Sequence, residues 1–330
     1  MKRRAFLRVL GGAAAWPVAA GAQQPERMRR IGVLANAEAS DPEWKRQIAA
    51  FLERMKDLGW ETGRNSQFEY LFAAGDAGRM SASAREMVSR EPDVILARST
   101  PLVRALIPET RSVPIVFVSV SDPVGDKFVA SMARPGGNIT GFTNVEASLG
   151  GKWVELLKEV APNIRRATVL FNPNVASGGG SFYLRTIEAA ASLLAIAIDP
   201  VHVSSVEQIE TAISAMARQP NNGLIVMPDP FIVPNRASIV ELVARHRLPA
   251  VYGFPYMALE GGLLGYGVDN VDLYRRSADY VDRILKGAQP SDLPIQAPVR
   301  FDLVVNLKTA KTLGIDLPPK LLARADEVIE

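Results

Sequence analysis

The chain has 330 residues, 48% hydrophobic, 22% charged and 7% aromatic, a composition that excludes disordered, collagen-like and coiled-coil proteins. Its length exceeds one ordinary hydrophobic core, which predicts two lobes; the lack of cysteine excludes disulfide frameworks, thiolate metal sites and a cysteine nucleophile, and only His202 and His246 remain for metal or general-base chemistry. The net charge is +3, but residues 1–22 hold Lys2, Arg3, Arg4 and Arg8 and no acid, so the rest carries −1 and bulk charge makes no case for nucleic acid.

The N-terminus reads as an export signal. Lys2-Arg3-Arg4 is followed by a short apolar stretch, Val9 to Ala20, and then by Ala20-Gly21-Ala22 before Gln23, an A-x-A-like cleavage pattern. The stretch is too short to span a bilayer, and Pro17 would break a helix there. Arg3-Arg4-Ala5-Phe6-Leu7 is similar to the twin-arginine pattern, with Lys2 where Ser or Thr is more usual. Cleavage near Ala22 and delivery to the periplasm are therefore expected.

From there the chain alternates β-branched runs with helix-period segments. Ile31 to Leu34 is a buried strand; Ser40-Asp41-Pro42 starts a helix by a capping side chain and a proline at its first position, and Gly59 ends it. Strands follow at 67–72, 93–97 and 115–118, with helices at 78–90 and 101–110 between them. Asn138 to Phe142 ends this series after the turn-forming Arg134-Pro135-Gly136-Gly137. A second series repeats the grammar, with helices at 153–160, 182–194, 206–217 and 234–245 and strands at 167–171, 198–203, 224–227 and 249–252. Strands separated by helices of 10–15 residues predict α/β architecture: two Rossmann-like lobes, each a parallel sheet flanked by helices. The remainder supplies a strand at 262–267, a helix at 272–285 and a strand at 299–305, too few for a third domain, so it completes the two lobes and the chain crosses between them more than once.

Open parallel sheets bind ligands beyond the C-terminal ends of their strands. Four such loops here are rich in hydroxyl, amide and carboxylate groups: Ala97-Arg98-Ser99-Thr100-Pro101, Ser119-Val120-Ser121-Asp122-Pro123, Asn172-Pro173-Asn174 onward, and Pro228-Asp229-Pro230. Ser99 and Thr100 at a helix start suit a carboxylate, and Asp122 and Asp229, one per series, suit an ammonium; together they describe an amino-acid site. Each residue alone has the plainer reading of a helix cap.

Several segments carry a resemblance: Arg29 to Leu34, Pro114 to Val118 running into Asp122-Pro123-Val124-Gly125, Arg134-Pro135-Gly136-Gly137-Asn138-Ile139-Thr140-Gly141, Lys152 to Lys158, Asn306 to Lys311 and Pro318 to Glu330. In these the chain resembles the TrpX-like extracytoplasmic solute-binding proteins of ABC importers, with the type I periplasmic-binding-protein fold. The resemblance implies a three-crossover hinge, a first lobe of 28–144 plus 256–288 and a second of 145–255 plus 289–330. It also implies ligand contacts from Asn36, Ser99, Thr100, Ser119, Ser121 and Asp122, from Asn144 near a crossover, and from Asn172, Asp229, Tyr252 and Tyr266. Arg98 stands where the family more usually has a small or amide residue; it could bind a second ligand carboxylate or lie outside the cleft.

Enzyme signatures are missing. There is no G-x-x-x-x-G-K-[ST] loop and no G-x-S-x-G elbow; Gly178-Gly179-Gly180 and Gly261 to Gly267 lack dinucleotide spacing, and His202 and His246 have no H-E-x-x-H context. The expected protein is a monomeric, non-enzymatic capture component that takes an amino acid or related carboxylate to an ABC permease and its ATPase, with no cofactor, metal or nucleic acid. An exported isomerase or hydrolase, and a ligand sensor, are the alternatives on the same bilobed fold.

Overall fold

The computed structural model describes residues 27–73 and 76–330. The export signal read from residues 1–22 lies outside them. No helix among the described residues is long and apolar enough to cross a membrane.

The first lobe is built on β1 (Arg29–Ala35), β2 (Ser66–Phe72), β3 (Val94–Arg98), β4 (Ile115–Val120) and β5 (Ile139–Thr143), all parallel in the order β2-β1-β3-β4-β5. The inner strands are apolar on both faces because helices cover both. Between the strands run α1 (Pro42–Asp57), α2 (Ala77–Ser89) and α3 (Thr100–Leu106). α1 begins where the sequence signals it: the Asp41 carboxylate accepts from the backbone N–H of Glu43 and Trp44, and Pro42 takes the first position. Its apolar stripe buries Trp44, Phe51 and Met55, each contributing about 2 kcal/mol by burial.

The second lobe begins with α4 (Leu149–Val160), β6 (Arg166–Phe171), α5 (Ser181–Leu193), β7 (Ala197–His202) and α6 (Val206–Met216). It continues through β8 (Asn222–Val226), α7 (Ile232–Arg245), β9 (Ala250–Tyr252), α8 (Tyr256–Leu259) and β10 (Leu264–Val268). α9 (Asn270–Leu285) then leaves for the first lobe, and β11 (Phe301–Asn306), α10 (Leu307–Leu313), α11 (Pro319–Leu322) and β12 (Glu327–Ile329) return. The second sheet runs β12-β11-β10-β9-β8-β6-β7. It is parallel except for β10 against β11, because the chain re-enters the sheet from the other lobe in the opposite direction.

The crossovers fall elsewhere than the resemblance implied. Residues 256–268 belong to the second lobe: α8 packs there, and β10 pairs with β9 and β11. Close packing fixes this. A Cβ on Gly267 would lie 2.1 Å from the Gly253 carbonyl oxygen, so only glycine admits the turn after β9 against β10. The crossing comes at Asp269, which caps α9 by accepting from the Asp272 N–H. α9 covers α1, with the Trp44 and Tyr274 rings edge to face at 5.9 Å, an Arg54–Asp279 ion pair and a Trp60 Nε1 bond to Asp282. The stretch through Gln296 stays with the first lobe, since Thr140 Oγ1 donates to the Leu293 carbonyl and Thr143 N to that of Gln296. The third crossover therefore follows Gln296, not residue 288.

Candidate functional site

The C-terminal strand ends of both sheets meet at one shared cavity. From the first lobe come Asn36 after β1, Arg98 and Ser99 at the end of β3, Ser119 and Ser121 at the end of β4, and Asn144 after β5. The second lobe faces them with Pro228, Asp229 and Pro230 after β8, Val233 on α7 and Phe254 after β9, and Asn270 at the start of α9 closes the side. A wider groove beside His246 and Asp316 lies at the opposite end of the second lobe, away from the end where such sheets bind ligands.

The backbone is strained where it reaches this cavity. Ser99 has φ 84° and ψ 151°, a region nearly reserved for glycine, and Ser119 has φ 61° at the register shift between Val118 and Val120. Ser99 holds the N-cap position of α3, yet its hydroxyl makes no capping bond and is buried without a partner. The capping explanation therefore fails for Ser99, and the strain turns its side chain to the cleft instead of the helix. Ser119 Oγ donates to Asn270 Oδ1 at 3.0 Å and Ser121 Oγ to Asn144 Oδ1 at 3.4 Å, so strand-end hydroxyls and crossover amides hold one another in place.

Asn36, Ser99, Ser119, Ser121, Asn144 and Asp229 thus come together. The other five sequence-derived candidates lie outside the cavity lining. Thr100 Oγ1 accepts from the Ser121 N–H at 3.4 Å, supporting that loop from behind. Asp122 corrects the expected ammonium pairing: its carboxylate accepts from the Gly125 N–H at 2.8 Å and folds over that residue, so a Cβ on Gly125 would lie 2.1 Å from it. Asn172 is tied down by giving its N–H to Asp229 and accepting from the Asn174 N–H. Tyr252 is buried in the core of the second lobe, and Tyr266 is half-buried on β10, where its carbonyl accepts from Trp153 Nε1.

Asp229 is a different case. It lines the cavity, but its oxygens already accept from the N–H groups of Asn172, Phe231 and Ile232. Burial pushes its pKa up to about 6 against those three bonds. Phe254, Val233 and Asn270 were missed as lining residues, while Arg98, which the sequence left either at the ligand or outside the cleft, lines it. Arg98 carried a signal, a charged side chain within an apolar strand-end run; the others depend on how the lobes face each other, which no local pattern encodes.

Residues 31–329 match the model of a family described as ABC transporter substrate binding protein. The chain is 24% identical over 290 residues to a tyrosine-binding protein of Clostridioides difficile, covering 88% of this chain and 82% of that one. A conserved domain protein of Vibrio cholerae superposes with a TM-score of 0.83 at 28% identity, over 92% of this chain and all of that one. An ABC domain of Streptococcus pneumoniae in complex with L-Trp gives 0.82 at 23% identity with the same coverage and so shares the fold. Further neighbours include a periplasmic binding protein/LacI transcriptional regulator from Alkaliphilus metalliredigens, at TM-score 0.56 and 13% identity over 83% of this chain and 97% of that one, placing the two lobes in the type I periplasmic-binding-protein fold.

Proposed function

The chain belongs to the ABC transporter substrate-binding protein family, and from that premise we propose that it is an exported, monomeric capture protein of the periplasm. It binds a small polar solute, an amino acid or related carboxylate, between its lobes and passes it unaltered to an ABC permease and its ATPase. The observation that carries this reading is the composition of the cleft: hydroxyls and amides from four strand ends of one lobe oppose a partly apolar wall from the other, so full contact needs both lobes. The tyrosine-binding relative and the L-Trp complex support an amino acid or a close analogue as ligand.

Closure has a mechanical counterpart in the ion pairs. Arg236 of α7 reaches across to Asp41, the cap of α1, with Nη1–Oδ2 at 2.9 Å and Nη2–Oδ1 at 3.0 Å, and also binds Glu260 through Nε. A ligand shifts the lobes toward this arrangement only by its greater affinity for it. Thermal melting tests the function: a solute at about 100 times its Kd stabilises by about 2.7 kcal/mol. A broad panel of amino acids and carboxylates that leaves the transition unmoved contradicts the proposal.

A further inference from the structure

Resting on the solute-binding reading, we infer that Arg98 and Ser99 form an acid-group subsite that makes the ligand's carboxylate obligatory and its ammonium dispensable. Arg98 is 7% exposed and lines the cleft, and its Nη1 is buried with no hydrogen-bond partner. Among the described residues no carboxylate lies within ion-pair range of its guanidinium. Its neighbour Ser99 is equally buried, and its hydroxyl is equally without a partner. Two adjacent orphaned donors, one charged, line the same cavity.

A buried guanidinium left alone is costly, since burial is tolerated only with a counterion or full hydrogen bonding. The protein supplies neither. Glu43 is the acid whose titration Arg98 influences, but it accepts from Gln47 Nε2 at 2.7 Å and pairs with Arg46, and burial holds its pKa above the usual carboxylate range. It is a poor partner for a full positive charge. A ligand carboxylate satisfies both orphans at once, with the planar fork of Arg98 on its oxygens and the Ser99 hydroxyl donating beside it.

Among the described residues, no orphaned carboxylate lines the cleft to receive an ammonium. The acid lining the cavity is Asp229, whose oxygens are already engaged by the backbone N–H groups of Asn172, Phe231 and Ile232. Asp122 is folded onto Gly125. The cleft thus distinguishes acids from amines, and only weakly an amino acid from the same acid without its nitrogen.

Two matched series test this by calorimetric titration at pH 7.5: L-tyrosine, 3-(4-hydroxyphenyl)propionate and tyramine; L-leucine, 4-methylpentanoate and isoamylamine. The expected result is that at least one nitrogen-free acid binds as tightly as its amino acid or more so, that neither amine binds, and that Arg98→Gln weakens the acid about 100-fold. Arg98→Gln also melts no lower than the wild type without ligand, because it removes an unpaired buried charge; a merely structural arginine would lower it. An amino acid binding more than tenfold tighter than its nitrogen-free acid, an amine that binds, an Arg98→Gln loss below threefold, or no binding across all six compounds overturns the inference. The solute-binding reading is tested separately, by whether protein isolated from its native cells carries a small molecule, whatever the outcome with these six compounds.

Discussion

Ser99 shows how a residue gives up stability for a site. Its φ of 84° with ψ of 151° costs about 1–3 kcal/mol, and its hydroxyl is buried without a partner. Ser99→Gly relieves both, less the entropy glycine retains when unfolded, so it is expected to raise stability by about 1 kcal/mol and weaken solute binding about tenfold; melting and titration of one sample check this. Asp122→Ala is expected to leave affinity within about twofold, since that carboxylate serves its own turn. Asp302 gives a pH test. Burial, then the charges of Asp269 and Asp326, push its pKa up to about 6 against Arg300 and Arg46. The folded state thus penalises the ionised form, and stability is lost as pH rises from the ordinary value of 3.8 through about 6. Asp302→Asn is expected to melt higher than the wild type above pH 6, with the advantage shrinking as pH falls toward 3.8. An advantage that grows on acidification contradicts the assignment.

Most elements of both α/β series were legible in the sequence because local signals coincide there: Asp41 and Pro42 before α1, Gly59 after it, and continuous apolar runs in β1, β3 and β4. The short α8, α11 and β12 were not, being held by packing on the second lobe without periodicity of their own. The lobe boundaries were displaced because hydrogen bonding to β9 and β11, and not chain order, decides where β10 belongs. The site was half legible for a related reason. Strand-end hydroxyls such as Ser119 and Ser121 announce themselves, whereas Phe254 and Asn270 reach the cleft only by crossover geometry. Between elements, α7 is tied to the start of α1 through Arg236, whose side chain is 12% exposed against 9% for Asp41. Arg236→Met leaves Asp41 without its partner and is expected to weaken closure by about 2 kcal/mol, less than for a fully buried pair. Scattering should then show a larger radius of gyration without ligand, and solute dissociation should quicken about 30-fold. Unchanged radius and dissociation would show that the lobes meet without this tie.

At the scale of the whole molecule, two sheets present their C-terminal edges to one another, and three chain crossings, after β5, at Asp269 and after Gln296, connect them. The cleft holds strained backbone and orphaned donors between two tethered lobes, features suited to gripping a solute. The most direct measurement is native mass spectrometry of the protein from its own cells, followed by release of the bound molecule and its return to fresh protein. The account predicts a single small carboxylate, recovered with unchanged mass after repeated cycles of binding and release. A solute that emerges chemically altered, or a protein that carries none and takes none up, would contradict it.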